Sequence, residues 1–326
     1  MDYGIGVKRG QVLQLLLQVL LVGMTLGMTR TVVPALAESE FGVPRGSFML
    51  LVAFVVAFGF VKGAMNFVAG RLAERIGRQR VLLVGWLVAV PIPVPLPRAV
   101  VELDCSRHRA PGREPGVDLG VSERPSTREV FALMSWRDRR LAALCQAGLV
   151  EKFVDALVWV FWPVYLHQQG VSLPGIGWIV GIYGFTWGGA QFFTGKLSDR
   201  VGRHHLNAGG MWLCGVGVAL LPLGTGSLWW GTAAALTGLG MAMLYPNLSA
   251  AVADIAHPNW RASAIGIYRF WRDLGYGIGA LALGAATALG GRIGSAFWFV
   301  AIAMGLSGAI LYRWSEETNP RLNPAG

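Results

Sequence analysis

Gly195–Arg203 reads Gly-Lys-Leu-Ser-Asp-Arg-Val-Gly-Arg, a charged loop bounded by glycine between two long apolar runs. The earlier stretch Gly70–Arg78, Gly-Arg-Leu-Ala-Glu-Arg-Ile-Gly-Arg, has the same order of small, basic, apolar and acidic residues. It also lies between apolar runs. A duplicated motif of this kind indicates that the chain consists of two related halves.

The composition predicts a membrane protein. Of the 326 residues, 54% are apolar and only 14% are charged, and the mean hydropathy is +0.50. Apolar runs of about 20 residues recur, which is the length that a helix needs to cross the hydrocarbon core of a bilayer. The 45 glycines suit close helix packing in lipid. The sequence therefore predicts an all-α, polytopic membrane helical bundle.

Nine apolar runs divide the chain, three before and six after a polar stretch. We expect residues 1–97 to form a partial N-terminal bundle of helices 1–3, residues 98–140 an Arg-, Pro- and Gly-rich aberrant linker, residues 141–314 a C-terminal six-helix bundle and residues 315–326 a polar tail. The first run lacks a clear cleavage site and is interpreted as a retained helix. The nine runs are Gln11–Leu36, Phe48–Ala69, Val81–Pro97, Leu141–Leu166, Ile176–Thr194, Leu206–Leu223, Leu228–Val252, Ala262–Leu289 and Ser295–Tyr312.

Several other classes of protein are excluded by the pattern of charged and reactive residues. The formal net charge is +10, but Lys and Arg lie in short loops between apolar runs, as the positive-inside rule requires, and no nucleic-acid-binding module is visible. Cys105, Cys145 and Cys214 have no metal-ligand or redox spacing. The five histidines are predicted to lie in loops or the linker, and no zinc, phosphate-loop or nucleophile motif is present. We therefore expect no nucleic-acid partner, cofactor, metal or enzyme activity.

At the duplicated loop the sequence resembles the major facilitator superfamily, whose hallmark loop lies between its second and third helices and recurs in weaker form between the eighth and ninth. Asp199 matches the acidic position of that loop, and Glu74 replaces it in the first copy with its charge preserved. The stretch Asp254–Leu274 is similar to the tenth loop and eleventh helix of the family. The resemblance implies a secondary transporter of a small solute, in a bacterial-type inner membrane, that works by alternating access.

The spacing of the two loops departs from this family. A fold of six plus six helices places them roughly 200 residues apart, whereas Gly70 and Gly195 are 125 apart (195 minus 70). About three helices are missing, and the charge rule is violated unless the proline-rich run Val81–Pro97 fails to cross. If His108–Leu119 are encoded by GC-rich codons, the same nucleotides read one position later can encode an apolar helix. The alternative function is therefore a truncated or frameshifted membrane protein that does not transport.

Charged residues inside apolar runs are candidates for substrate binding or coupling, because each costs at least ~2.5 kcal/mol at the centre of a helix. Arg30 suits an anionic substrate group or a carboxylate of the other half; the alternative is an interfacial arginine that extends to the membrane surface. Asp155 lies midway along its run and suits proton coupling or a substrate cation. Glu151 and Lys152, one turn earlier, are expected to be structural.

Polar and aromatic residues of two other runs suit the wall of a central cavity. Tyr183, Trp187 and Gln191 share one helix face at a spacing of four. The alternative for this face is aromatic packing between helices. Tyr245 and Asn247 flank Pro246, whose break in the helix would free backbone carbonyls beside a cavity.

The resemblance also implies a mechanical role for the duplicated loops, which would hold the cytoplasmic ends of the two halves together in one state. Glu74 would meet the eleventh helix, where we expect an interface at Arg269, Arg272 and Asp273. Asp199 would face the fifth helix, which belongs to the missing part. The candidate switch residues are Gly70, Arg71, Glu74, Arg75, Gly77, Arg78, Gly195, Asp199, Arg200, Gly202 and Arg203.

Overall fold

The structure, a computed structural model, describes residues 48–76, 81, 125–319 and 322. Side chains within the first of these ranges are described from residue 55 to residue 72. Several predictions fall elsewhere, namely those for Arg30, Gly77 and Arg78, for the first and third apolar runs, for the linker up to residue 124, and for the side chains of Glu74 and Arg75.

The described residues form nine α-helices, and no strand occurs among them; the eight helices from Thr127 onward follow one another through short turns. Each of the six apolar runs predicted after the linker is helical. The helices are α1 Phe48–Ile76, α2 Thr127–Ala132, α3 Arg139–Ala156, α4 Trp162–Gln168, α5 Leu173–Val201, α6 Arg203–Leu220, α7 Ser227–Ile255, α8 Arg261–Gly290 and α9 Gly294–Trp314.

Helix α3 continues into α4 through a π-helical turn, Leu157–Phe161, so the two form one long rod. Pro163 lies just after this turn and has no N–H for the helical ladder, which is one reason for an irregular turn here. A second π-helical turn, Leu133–Arg137, joins α2 to α3. π-helical turns inside helices often mark functional sites, and Leu157–Phe161 follows Asp155 directly.

Four helices of the described chain are long and apolar enough to cross a membrane. They carry the segments Val55–Leu72, Arg203–Leu223, Ser227–Ile255 and Gly294–Trp314. Large apolar side chains such as Phe185, Phe192 and Leu289 are exposed on the outside of the bundle, where lipid would surround them. The prediction of an all-helical membrane bundle is confirmed.

Helical structure begins at Thr127, inside the stretch 98–140 that is predicted as a linker. Ser126 and Glu129 form a capping box there. The Glu129 N–H donates to Ser126 Oγ at 3.3 Å, and the Ser126 N–H donates to Glu129 Oε2 at 2.7 Å. This reciprocal pair satisfies two of the backbone donors at the start of α2 and so fixes where the helix begins.

Glycines bring α1 and α8 into backbone contact. A Cβ atom added to Gly70 would lie 2.7 Å from the Cα of Gly266, and one added to Gly59 would lie 2.5 Å from the backbone nitrogen of Gly277. Such distances leave no room for a side chain, so the two backbones touch directly. The first copy of the duplicated loop therefore begins at a helix crossing that depends on glycine.

Substitution of Gly59 by alanine should destabilise the α1–α8 crossing, because its methyl group has no space against Gly277. We expect Gly59→Ala to cost about 1–3 kcal/mol, the usual range for overpacking, seen as a lower midpoint of thermal unfolding in detergent micelles. Gly184→Ala is the matched control, since Gly184 is the repeat equivalent of Gly59 on α5 and has no atom within 4 Å of such a methyl group. Equal midpoints for the two variants would contradict this packing.

Candidate functional site

Six charged side chains meet where α1, α3 and α8 come together, among the described residues. Three are cations and three are carboxylates, so their formal charges cancel. All except Lys62 are buried. Buried charges inside membrane helices are costly unless they are paired, and they mark functional sites by default. The members of this charge cluster are Lys62, Glu151, Lys152, Asp155, Arg272 and Asp273.

Asp155 binds three side chains of the bundle. Its Oδ2 atom lies 2.8 Å from Lys152 Nζ and accepts from Tyr276 Oη at 2.8 Å. Its Oδ1 atom accepts from Tyr183 Oη at 3.1 Å. Lys152 and Asp155 can pair because residues three apart lie on one face of a helix. Donors from α3, α5 and α8 thus converge on one carboxylate that is 0% exposed.

Lys152 lies between carboxylates and aromatic rings. Its Nζ atom is 3.1 Å from Glu151 Oε1. The same atom is 5.0 Å from the ring centroid of Tyr245, 5.4 Å from that of Tyr276 and 5.9 Å from that of Trp187. Such distances give cation–π attraction, which is strongest where water is excluded. The ammonium is therefore held without contact with solvent.

Asp273 anchors the other half of the charge cluster. Its Oδ1 atom lies 3.4 Å from Lys62 Nζ and 3.3 Å from Arg272 Nη2, and its Oδ2 atom accepts from the Asn66 amide. Lys62 and Asn66 lie on α1, whereas Asp273 lies on α8, so these bonds join the predicted N-terminal and C-terminal bundles. The Tyr245 ring links both parts of the cluster, because Arg272 Cζ is also 5.0 Å from its centroid.

The carbonyl group that loses its helical partner at Pro246 accepts a hydrogen bond from a side chain of a neighbouring helix. Proline has no N–H, so the carbonyl of Ala242 loses its helical partner. Thr194 Oγ1 of α5 donates to that carbonyl at 2.7 Å. Asn247 Nδ2 donates within its own helix, to Met243 O at 2.7 Å. The expectation that Pro246 frees a carbonyl toward a cavity is therefore wrong for Ala242, whose oxygen is bonded to α5.

The structure brings together six of the ten candidates predicted for substrate binding, coupling and the helix interface. Asp155, Tyr183, Trp187, Tyr245, Arg272 and Asp273 all lie in or against the charge cluster. Gln191 donates to Trp187 O at 3.3 Å, and Asn247 bonds within its own helix, so neither contacts the cluster through these bonds. Arg269 is exposed on α8 and lies outside it.

Sequence reasoning missed four members of the site. Glu151 and Lys152 were expected to be structural, yet Lys152 pairs directly with Asp155. The useful signal was the i, i+3 spacing of opposite charges in an apolar helix. Tyr276 lies one turn after Arg272, on the same helix face, and Lys62 is the lone charge within an otherwise apolar run.

No group of His, Cys, Asp and Glu suited to a metal ion occurs within residues 48–76 or 125–319. Cys145 and Cys214 are buried free thiols on α3 and α6. The carboxylates, ammonium, guanidinium and phenol groups of the charge cluster can form ion pairs and exchange protons with one another.

The second copy of the duplicated loop is closed by the tail that follows α9. Gly202 adopts φ +100° between α5 and α6, a conformation that favours glycine. The Glu317 carboxylate accepts the N–H groups of Arg203 at 3.0 Å and His204 at 3.2 Å, the first two of α6. Asn319 Nδ2 donates to Asp199 O at 3.2 Å, near the end of α5. One tail segment thus binds both helix ends.

Side chains of the same loop also reach α7. Arg203 forms an ion pair with Asp254, at 2.6 Å, and lies 3.9 Å from Asp199, whose side chain is 54% exposed. Gly195 has no atom within 4 Å of an added Cβ. The loop is therefore tied to α7 through the Arg203 side chain and to the tail through the backbone of Asp199, Arg203 and His204.

Comparison with known proteins agrees with this architecture. A sequence model of the Major Facilitator Superfamily matches residues 144–326, more than half of the chain. The chain belongs to the major facilitator superfamily. As a member of this family it is a multi-pass membrane protein embedded in a lipid bilayer, and the predicted family assignment is confirmed.

A curated relative supports the same assignment over a shorter stretch. The major facilitator chain is 28% identical over 104 residues to an uncharacterised MFS-type transporter of Salmonella typhimurium. The match covers 31% of this chain and 26% of that relative, so the matched segment spans about a quarter of the relative's length.

The cap that Glu317 provides to α6 should depend on its charge. Partial burial alone would raise the pKa of Glu317, but the backbone N–H donors of Arg203, Asn319 and His204 favour the carboxylate and bring the pKa below its ordinary value. A lowered pKa in the folded state means that this stabilisation is present above the pKa of the unfolded chain. It is lost as the pH falls through the pKa of the folded state.

We expect Glu317→Gln to destabilise the protein by about 0.5–1 kcal/mol at pH 7, the scale of a lost helix cap. Thermal unfolding in detergent micelles at several pH values measures this difference, which should shrink as wild-type Glu317 becomes protonated in acid. Glu316→Gln is the control, because Glu316 is an exposed neighbour. A difference that stays constant with pH would contradict the assigned cap.

Proposed function

We propose that this chain is a secondary transporter that moves a small solute across a bacterial inner membrane by alternating access, with protons coupled through Asp155. The observation that carries the proposal is a carboxylate at 0% exposure, inside a membrane bundle, that accepts from Lys152, Tyr183 and Tyr276. Intramembrane carboxylates with named partners are typical of proton relays.

Protonation of Asp155 would change the charge cluster in a defined way. Neutral Asp155 no longer forms an ion pair with Lys152, which then keeps only Glu151 as its carboxylate partner. The formal charge of the cluster would rise from zero to +1. The ionisable groups that interact with Asp155 or with its partners come from five helices. They are Glu151 and Lys152 of α3, Tyr183 of α5, Cys214 of α6, Tyr245 of α7, and Tyr268, Arg272 and Tyr276 of α8.

The charge cluster includes contacts that would change if the two halves moved relative to each other. Lys62 and Asn66 of α1 contact Asp273 of α8, and Arg272 connects that carboxylate to the ring of Tyr245. In alternating access one half rocks against the other around a site near the midplane. A change of charge at Asp155 would therefore be transmitted through Lys152 and Tyr245 to the pairs that join the halves.

The duplicated loops are suited to form contacts that differ between the conformational states of the transporter. Gly70 touches Gly266 of α8 and Arg71 is exposed beside it, so a rearrangement of the halves would separate this crossing. Asp199 and Arg200 are exposed on the second copy and are available to an opposing segment. We propose that the first copy, with Glu74, holds the halves together and that the second copy chiefly fixes topology.

Asp155→Asn should uncouple the transporter from protons. In proteoliposomes with an imposed pH gradient, we expect accumulation of a transported solute to fall at least about tenfold, while exchange of the same solute across the membrane persists, because amide cannot carry the proton. Asp155→Glu should retain coupling. Glu316→Gln, which changes an exposed carboxylate in the tail, is the control for the same chemical substitution.

Uptake of radiolabelled solutes of different charge is measured in the same vesicles. Two results would contradict the proposal. Accumulation by Asp155→Asn at the wild-type level would exclude Asp155 as the coupling group. Absence of uptake by the wild-type chain for every solute would favour the alternative, a truncated or frameshifted protein that inserts but does not transport.

A further inference from the structure

Among the described members of the charge cluster, the exposed surface belongs to cations and not to carboxylates, and aromatic rings lie beside it. Glu151, Asp155 and Asp273 are all 0% exposed. The side chain of Lys62 is 34% exposed and that of Arg272 is 9% exposed. The rings of Trp187 and Tyr245 are half-buried. A solute that approaches the cluster therefore meets cations and aromatic surface before it meets any carboxylate.

We propose that this edge, formed by Lys62, Arg272, Tyr245 and Trp187, binds a small organic anion with an aromatic or other planar apolar body. The inference rests on the proposed transport function and names the class of its solute. Lys62 and Arg272 share Asp273, so they lie close enough to act on one anionic group. Guanidinium binds carboxylates with a planar fork of donors, which suits Arg272 to this role.

The aromatic side chains supply the surface for the body of the anion. The rings of Trp187 and Tyr245 lie 5.5 Å apart and meet at 77°, so one presents an edge and the other a face. Such a pair offers an apolar corner beside Arg272, whose Cζ atom is 5.0 Å from the Tyr245 ring. Aromatic surface with a few well-placed polar groups is the usual composition of a small-molecule site.

A cationic solute fits this geometry poorly. It would first approach Lys62 and Arg272, which repel it, and the carboxylates behind them are already occupied. Asp155 accepts from three donors, and Asp273 binds Lys62, Arg272 and Asn66. Glu151 Oε2 has no hydrogen-bond partner within the described chain, but Glu151 is 0% exposed and its other oxygen is held by Lys152.

The charge balance of the cluster links anion binding to the proton. An anion adds one negative charge to a group of side chains whose formal charges cancel, and one proton on Asp155 restores the balance. The bound state would then hold one anion and one proton with no net change of charge. Anion binding should accordingly be tighter at pH 6 than at pH 8 when the anion itself stays ionised at both values.

Three probes of one shape test the class of solute: benzoate, benzylammonium and benzyl alcohol, titrated into the purified full chain in detergent micelles. Quenching of tryptophan fluorescence and thermal stabilisation report binding. We expect benzoate to bind at least about tenfold more tightly than either other probe, a difference of about 1.4 kcal/mol. Lys62→Gln and Arg272→Gln should each weaken benzoate binding at least about fivefold.

Arg313→Gln is the matched control, because Arg313 is exposed at the end of α9, outside the charge cluster. Lys62→Gln keeps the test valid if the buried Arg272→Gln variant fails to fold, since Lys62 is one-third exposed. Tighter binding of benzylammonium, or equal binding of all three probes, would overturn the proposal. Equal loss in Arg313→Gln and Lys62→Gln would also overturn it.

The two proposals fail in different ways. Selective benzoate binding without accumulation in vesicles under a pH gradient would exclude proton-coupled transport of this probe and leave the anion site standing. Proton-coupled accumulation of another solute, with no preference for benzoate over benzylammonium, would exclude the anion site and leave the transport function standing.

Discussion

The desolvation of charge inside an apolar bundle is the constraint on which this arrangement depends. A single unpaired ion at such depth is unfavourable by several kcal/mol, yet α1, α3 and α8 bring six of them into one place. Mutual contact makes this tolerable, since each carboxylate lies beside at least one cation. The tyrosine hydroxyls also donate to Asp155 and the amide of Asn66 to Asp273, whereas Glu151 Oε2 has no hydrogen-bond partner within the described chain.

Pairing of this density requires helices that approach closely, and glycine provides the approach. Gly275 of α8 leaves no room for a Cβ atom against the carbonyl of Leu149, and Gly279 leaves none against Phe153. These contacts place α8 directly beside the face of α3 that bears Lys152 and Asp155. The glycines at the α1–α8 crossing do the same for Lys62 and Asp273. The charged side chains of this bundle thus reach one another because the helix backbones pack closely.

The fold was largely predictable from the sequence because many residues in each helix carry the same information about where the helix lies. Each membrane helix consists of many apolar residues, so the six runs after residue 140 could be located although their ends differ from the helix ends by several residues. The duplicated loops then identified the family, which the match over residues 144–326 bears out.

The site was less predictable, since its members contact one another across distances in sequence that no local pattern encodes. Asp155 stood out as a charge at mid-helix, and Tyr183 and Trp187 as a polar aromatic face. Tyr276 is an ordinary residue of α8 until the packing of α8 on α3 brings its hydroxyl to Asp155, 121 positions away. The partner of the Ala242 carbonyl could not be foreseen for the same reason, because Thr194 lies on a different helix.

The cap on α6 has a consequence for the order of synthesis. Arg203 and His204 donate to a carboxylate that lies 114 and 113 residues further along the chain. While the ribosome is still making α7, α8 and α9, the start of α6 has no such acceptor, and the loop that precedes it can reach its final form only when Glu317 emerges. The second hallmark loop is therefore among the last parts of this bundle to mature, although it is far from the last to be translated.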